Sequence, residues 1–110
     1  DVARLTRTLD GLHQEGEAPP LVLWAMSEEI RALCLVKSGQ ERGQPVDALL
    51  KEAKVWGLRQ GLIKRALQRL PAAALEAALR HATRIDRLTK GIGKGDVWEE
   101  FLRLGLRLAK

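Results

Sequence analysis

Residues 89–101 read TKGIGKGDVWEEF, and the fold turns on whether this stretch is a loop that wraps a phosphate or the joint between two helices. Glycines stand at 91, 93 and 95, with Lys94 between the last two. A P-loop needs Gly-x-x-x-x-Gly-Lys followed by Ser or Thr, set between a strand and a helix. Here Gly91-Ile92-Gly93-Lys94-Gly95-Asp96 follows a helical segment, lacks that spacing, and puts a carboxylate where a metal-holding hydroxyl belongs. No βαβ pattern surrounds it, so a dinucleotide fingerprint fails as well. As a joint, every residue has a task. Gly91 ends a helix in a left-handed cap and Lys90 sits at that helix's negative end. Asp96 caps the next helix, with Glu99 three residues on in a variant of the capping box. The segment is read as a joint.

Working back from it, every segment shows helical spacing. Leu75, Ala78, Leu79, Ala82, Ile85 and Leu88 form the inward stripe of the helix that precedes the joint, which Pro71 opens. Arg80, Arg84 and Arg87 align on its outer side. Before it, "LIKRALQRL" places Leu62, Ile63, Ala66, Leu67 and Leu70 on one face. Pro45 opens a short helix with Val46, Leu49, Leu50 and Ala53, and Gly39 and Gly43 bracket a polar turn ahead of it. "LVLWAMSEEIRALCLVKSG" is apolar on nearly every side from Leu21 to Met26, the mark of a helix central in its domain. The opening segment carries Val2, Leu5, Leu9 and Leu12 on one stripe and stops at Gly16, with Pro20 in the first turn of the helix that follows. No period-two alternation occurs anywhere. The expectation is an all-α chain, one bundle of about six helices over residues 1–110.

After the joint, Val97, Trp98, Phe101, Leu102, Leu104, Leu106 and Leu108 spread over more than the ~100° arc that one core contact requires. The last helix is therefore either deep in the bundle or half given to a second protein surface. Trp56, in "KVWGLRQG" with Lys54 and Arg59 beside it, has two readings too: a core plug from a loop, or an indole that stacks on a base while the cations hold phosphate.

The totals bound the rest. With 110 residues, 45% hydrophobic and 30% charged, the chain is one globular domain. No apolar run approaches the ~20 residues that span a bilayer. The first residue is Asp1 rather than Met, so a piece of a longer polypeptide is expected. The net charge of +5 suits a nucleic acid or an acidic protein partner. Cys34, in an apolar run, reads as a buried structural thiol in a reducing, intracellular setting. His13 and His81 read as surface or boundary residues, and with one cysteine they make no metal site of the usual spacing. Glu28-Glu29 and Glu99-Glu100 suit solvated faces. Ser27 and Ser38 have no triad partners at a suggestive spacing, so no catalytic residue, metal or cofactor is expected.

Three blocks in order, "PPLVLWAMSEEIRAL", "VWGLRQGLIKRALQRL" and "RIDRLTKGIGKGDVWEEFLRLGLRLA", resemble the C-terminal domain of the bacterial DNA polymerase III delta-subunit family, over essentially the whole chain. That resemblance implies a clamp-loader subunit, related to AAA+ ATPases but not hydrolysing ATP, whose N-terminal domain opens the sliding clamp and whose middle domain is small. Both would lie outside this chain. The C-terminal domain would join a five-membered collar with delta-prime and the gamma or tau subunits, around primer–template DNA, in the bacterial cytoplasm. In that frame Trp98, Phe101, Leu102 and Leu106 are the expected partner-binding residues. Lys54, Trp56, Arg59 and Lys64, then Arg84 and Arg87, are the expected DNA contacts. Some relatives have an aromatic residue in the turn before the last helix, suited to stacking on DNA; this chain has Ile92-Gly93-Lys94-Gly95 there. The contrasting expectation is a stand-alone basic helical module that binds nucleic acid.

Overall fold

Proline and glycine punctuate the chain where expected, and the segments between them are helices. The computed structural model describes residues 2–109, apart from the side chain of Val2, so the place of Val2 on the first stripe lies outside the described residues. Among those residues there are six helices and no strand: α1 Val2–Gln14, α2 Pro19–Glu41, α3 Val46–Glu52, α4 Leu58–Arg69, α5 Ala72–Thr89 and α6 Val97–Ala109. Pro19 and Pro20 fill the first turn of α2, where a missing N–H costs nothing. Pro45 and Pro71 stand one residue outside α3 and α5 in extended conformation.

The joint at 89–96 is built as its sequence suggests. Gly91 has φ 79°, and the Gly91 and Ile92 amides donate to the carbonyls of Leu88 and Arg87 at 3.1 and 2.8 Å, the paired bonds of a Schellman cap. Asp96 Oδ1 accepts from the Trp98 amide at 2.9 Å. Glu99 does not close a capping box, because its carboxylate bonds Arg103 one turn on, at 2.7 Å.

α2 is the spine. At 23 residues it runs about 34 Å, long enough to serve two cores in succession. Its first half gives Val22, Leu23 and Ile30 to a cluster with Leu9, Ala78, Ala82, Ile85, Phe101 and Leu104. Its second half gives Ala32, Leu33 and Val36 to a cluster with α3, α4 and the start of α5, including Leu50, Val55, Ile63 and Leu75. Cys34 and Leu108 touch both, and the body is elongated, 41 × 26 × 22 Å. α2 and α5 make the most extensive helix pair, and Ala78 and Ala82, both buried, permit their close approach.

Three expectations need correction. The stretch from Leu21 to Met26 is not buried all round: Val22 and Leu23 face the core, while Leu21 and Trp24 face solvent. Leu62 does not share the inward face of α4, because that helix starts at Leu58 and buries Ile63 and Leu67 instead. Gly39 does not end α2. It lies inside the helix against Leu49, and a β-carbon there would overlap both Leu49 δ-methyls.

Glycine substitutions therefore differ in sign by position. Gly39→Ala should lower stability by about 1–2 kcal/mol, overpacking outweighing better helix propensity, because Leu49 is itself buried. Gly11 and Gly61 lie in helices where an added methyl would meet nothing within 4 Å, so alanine at either should raise stability by about 0.5–1 kcal/mol. Urea denaturation of the three variants checks the signs, and a stabilised Gly39→Ala would refute the α2–α3 packing.

Candidate protein and nucleic-acid interfaces

α6 packs on α1, α5 and α2, which bury its apolar residues to different depths. Phe101 and Leu104 are wholly inside the core. The expectation of a partner-binding Phe101 is corrected on that ground: the ring fills the first core cluster and offers no surface. Trp98 is half-buried, stacked on His13 with ring centroids 4.5 Å apart and edge-on to Phe101 at 5.4 Å. Leu102 and Leu106 are half-buried as well. The bundle thus takes up Phe101 and Leu104 wholly and the rest of the apolar arc of α6 in part.

Exposed apolar side chains gather elsewhere. In the turn between α3 and α4, Val55 is the residue that plugs the core, wholly buried, and Trp56 next to it is 58% exposed. The turn is rigidly made. Lys54 adopts φ 60° at the end of α3, and the Val55 amide donates to the Leu50 carbonyl at 2.9 Å. Gly57 has φ 61° and ψ −137°, a conformation open essentially to glycine alone. The Gln60 side chain donates to the Val55 carbonyl at 3.1 Å. These bonds hold Trp56 outward, beside Leu58 (93% exposed) and, one turn further along α4, Leu62. A second apolar face lies on the first turns of α2, where Leu21 and Trp24 (62% exposed) stand; Trp24 borders a groove against Thr83 and Asp86 of α5.

The cations expected to serve Trp56 are differently placed. Lys54 is exposed beside it. Arg59 is engaged with Glu29 of α2 at 2.6 Å, and Lys64 with Asp47 of α3 at 3.3 Å. Both pairs are solvent-exposed and worth at most about 1 kcal/mol each, yet they lower the charge available to a phosphate. Arg84 and Arg87 belong to a different element, exposed on α5 and without an ion-pair partner among the described residues.

Arg84 belongs to a cluster that spacing did not bring into view. His81 is not a surface residue: it is 2% exposed, between α5 and α6. Its Nε2 lies 2.8 Å from Glu100 Oε1, and Arg107 Nε donates to its Nδ1 at 3.1 Å. A guanidinium only donates, so Nδ1 accepts and the ring proton on Nε2 goes to Glu100. Glu100 also accepts from Arg103 at 2.7 Å, so it is a structural carboxylate rather than part of a solvated pair. The signal was legible in principle, since His81 stands three residues after Ala78 and four before Ile85, on the buried stripe.

Cys34 is half-buried, and desolvation, aided by the charge of Glu76, pushes its thiol up, which suits a structural rather than a nucleophilic sulfur. Among the described residues no cluster of His, Cys, Asp and Glu is arranged to hold a metal ion, and no helix is long and apolar enough to cross a membrane.

Comparison with known proteins accords with this architecture. Residues 2–110 match the family described as the processivity clamp loader gamma complex DNA polymerase III C-terminal domain. The chain is also 31% identical over 105 residues to DNA polymerase III subunit delta of Escherichia coli strain K12, across 96% of this chain. It spans about 30% of that relative's length. The chain belongs to the clamp-loader delta C-terminal domain family.

The hydrogen bond from His81, against partial desolvation and with help from the Arg103 charge, holds the Glu100 carboxyl below the usual range for a glutamate. A depressed folded-state pKa adds stability that is complete above the unfolded value, about 4.3, and is lost as pH falls through the folded value. The stability difference between the parent chain and Glu100→Gln should therefore hold steady from pH 7 to about 5 and shrink below about 4. Urea melts across that range test this, and a difference unchanged down to pH 3 would remove the link between α5 and α6 from the list of pH-sensitive contacts.

Proposed function

We propose, with membership of the delta C-terminal family as the premise, that this domain is the assembly module of a clamp-loader subunit that opens the sliding clamp and loads it on primed DNA. Its partners are then the C-terminal domains of the gamma or tau and delta-prime subunits, joined in a collar in the bacterial cytoplasm. The sliding clamp would be met by parts of the subunit outside this chain. The domain contributes attachment and geometry, and no chemical step is assigned to it.

The observation that carries this reading is the trio Trp56, Leu58 and Leu62, held out in solvent by a rigid turn while neighbouring Arg59 and Lys64 are already ion-paired. An exposed aromatic with two leucines is what the desolvated centre of a protein interface requires. A phosphate-binding surface would be expected to leave its cations free, and of the three here only Lys54 is without an ion-pair partner among the described residues. Trp56 therefore fits a partner subunit better than a base, and Leu21 with Trp24 on α2 supplies a second contact of the same kind. The half-buried Trp98, Leu102 and Leu106 then serve the domain's own packing first.

Light scattering coupled to size exclusion, with this chain and the C-terminal domain of the ATPase subunit at low and high salt, tests the assignment. A complex that survives high salt is expected, and Leu58→Glu should weaken it on the order of tenfold or more, with folding unchanged because Leu58 is almost fully exposed. A complex dispersed by salt, or one indifferent to Leu58→Glu, would contradict it and favour the basic stand-alone module.

A further inference from the structure

Trp24 walls a groove of about 380 Å³ along the seam of α2 and α5, with Leu23 and Ala82 in its floor. The first half of α2 packs with Ala82 and Ile85 and its second half with Leu75, so the two helices run antiparallel. Pro20 and Asp86 therefore mark one end of the groove, and Arg31 and Leu79 the other, about 16 Å away along α2. Two hydroxyls border it. Thr83 Oγ1 donates to the Leu79 carbonyl at 3.1 Å, the usual recourse of a hydroxyl inside a helix. Ser27, one turn beyond Trp24 on the same side of α2, does not do so. It is only 9% exposed, yet its hydroxyl has no hydrogen-bond partner among the described residues. No fully enclosed side-chain oxygen or nitrogen among those residues lacks a partner, so the Ser27 oxygen opens into the groove. A hydroxyl so placed is satisfied only from outside the domain, and covering it with a purely apolar partner carries a penalty.

We infer that this groove binds an extended, proline-containing segment of another protein, with Trp24 packed on a proline ring and Ser27 donating to a backbone carbonyl of the segment. The inference rests on the reading of Trp24 as a protein contact and adds the conformation of what it meets. Backbone conformation decides between occupants. An α-helix laid here would keep its carbonyls within itself and leave the Ser27 hydroxyl buried and unpaired. A polyproline II segment has no internal hydrogen bonds, so its carbonyls are free, and at about 3.1 Å per residue roughly five residues span the groove. Proline suits the site twice. Its ring packs on the exposed indole, and it brings no N–H into a groove where the Thr83 hydroxyl and the Asp86 carboxylate are already engaged. Charge sets the ends of the segment. Arg31 and Asp86 are held only by exposed pairs within their own helices, to Glu28 at 3.0 Å and Lys90 at 2.8 Å, and such pairs are weak enough to exchange. The complementary segment has an acidic residue toward Arg31 and a basic one toward Asp86.

The test is two-dimensional NMR of this chain, isotope-labelled and titrated with the blocked peptide Asp-Pro-Pro-Leu-Pro-Pro-Lys, which reads the indole N–H groups of Trp24, Trp56 and Trp98 separately. The Trp24 signal should shift to saturation with the other two unmoved, and an alanine-based helical peptide with the same end charges should leave it in place. Trp24→Ala should abolish binding, and Ser27→Ala should weaken it about fivefold. Ser27→Ala should meanwhile melt at the same temperature or slightly higher, because the hydroxyl has no bond within the domain to lose and alanine favours the helix. A structural serine would not give that split. No shift at Trp24 with millimolar peptide, equal binding of the helical peptide, or a Ser27→Ala variant that melts lower and binds as before would overturn the inference. Leu58→Glu should bind the peptide as the parent chain does. A complex with the ATPase subunit's domain that is sensitive to Leu58→Glu, in a chain that ignores the peptide, would overturn this inference alone. Peptide binding by a chain that forms no such complex would support it and overturn the assembly reading alone.

Discussion

Everything in this domain hangs on the pairing of α2 with α5. Both helices reach both hydrophobic clusters, and α5 lies along α2 with Ala78 and Ala82 buried. α6 docks on that pair at the end where α2 begins and carries α1 on its other side, while α3 and α4 dock on α2 at the end where it finishes. The geometry is set by residue size. A larger side chain at Ala78, which has no exposed surface, would push the two long helices apart and open both clusters at once. Gly39 repeats the device on a smaller scale, where α3 lays Leu49 against the α2 backbone.

Much of this was legible because the helices are delimited by residues with strong local physics. Gly16, Pro45, Pro71, Gly91 and Asp96 each stand at a helix end, and the apolar stripe of α5 from Leu75 to Ile85 is the buried one. The misreadings share a cause: periodicity gives the direction of a face but not how many neighbours it meets. The wide apolar arc of α6 meets three helices, which bury Phe101 and Leu104 wholly and Trp98, Leu102 and Leu106 in part. Residues 21–26 look uniformly apolar, yet their helix lies at the edge of the bundle on one side and leaves Trp24 outside. In the Val55-Trp56 pair the smaller residue goes in, since a turn fixed by Lys54 and Gly57 aims alternate side chains in opposite directions. His81 was missed because a histidine on a buried stripe needs partners, and those come from α6, which no local pattern could bring beside it.

The result is a division of labour by surface chemistry. The turn before α4 and the first turns of α2 expose apolar side chains, with Arg59 and Lys64 nearby in exposed ion pairs and Lys54 without one among the described residues. The α5–α6 side is cationic, with arginines ordered by a buried histidine and a carboxylate. Apolar burial resists salt while exposed charge interactions do not, so the two faces should respond differently to ionic strength. The modest net charge of +5 conceals this separation, because it sums over both faces.

The most direct measurement is hydrogen exchange of this domain, alone and in complex with the ATPase subunits' C-terminal domains. The backbone amides at Trp56, Leu58 and Arg59 lie outside or in the first turn of α4, where no preceding helical carbonyl protects them, and in the free domain they should exchange quickly. If the α4 edge is the assembly surface, those amides slow markedly on complex formation while the α5–α6 cleft stays as it was. Protection that appears along α6 and leaves residues 56–62 unchanged would contradict the central claim, and would return the partner surface to the helix that the bundle here buries.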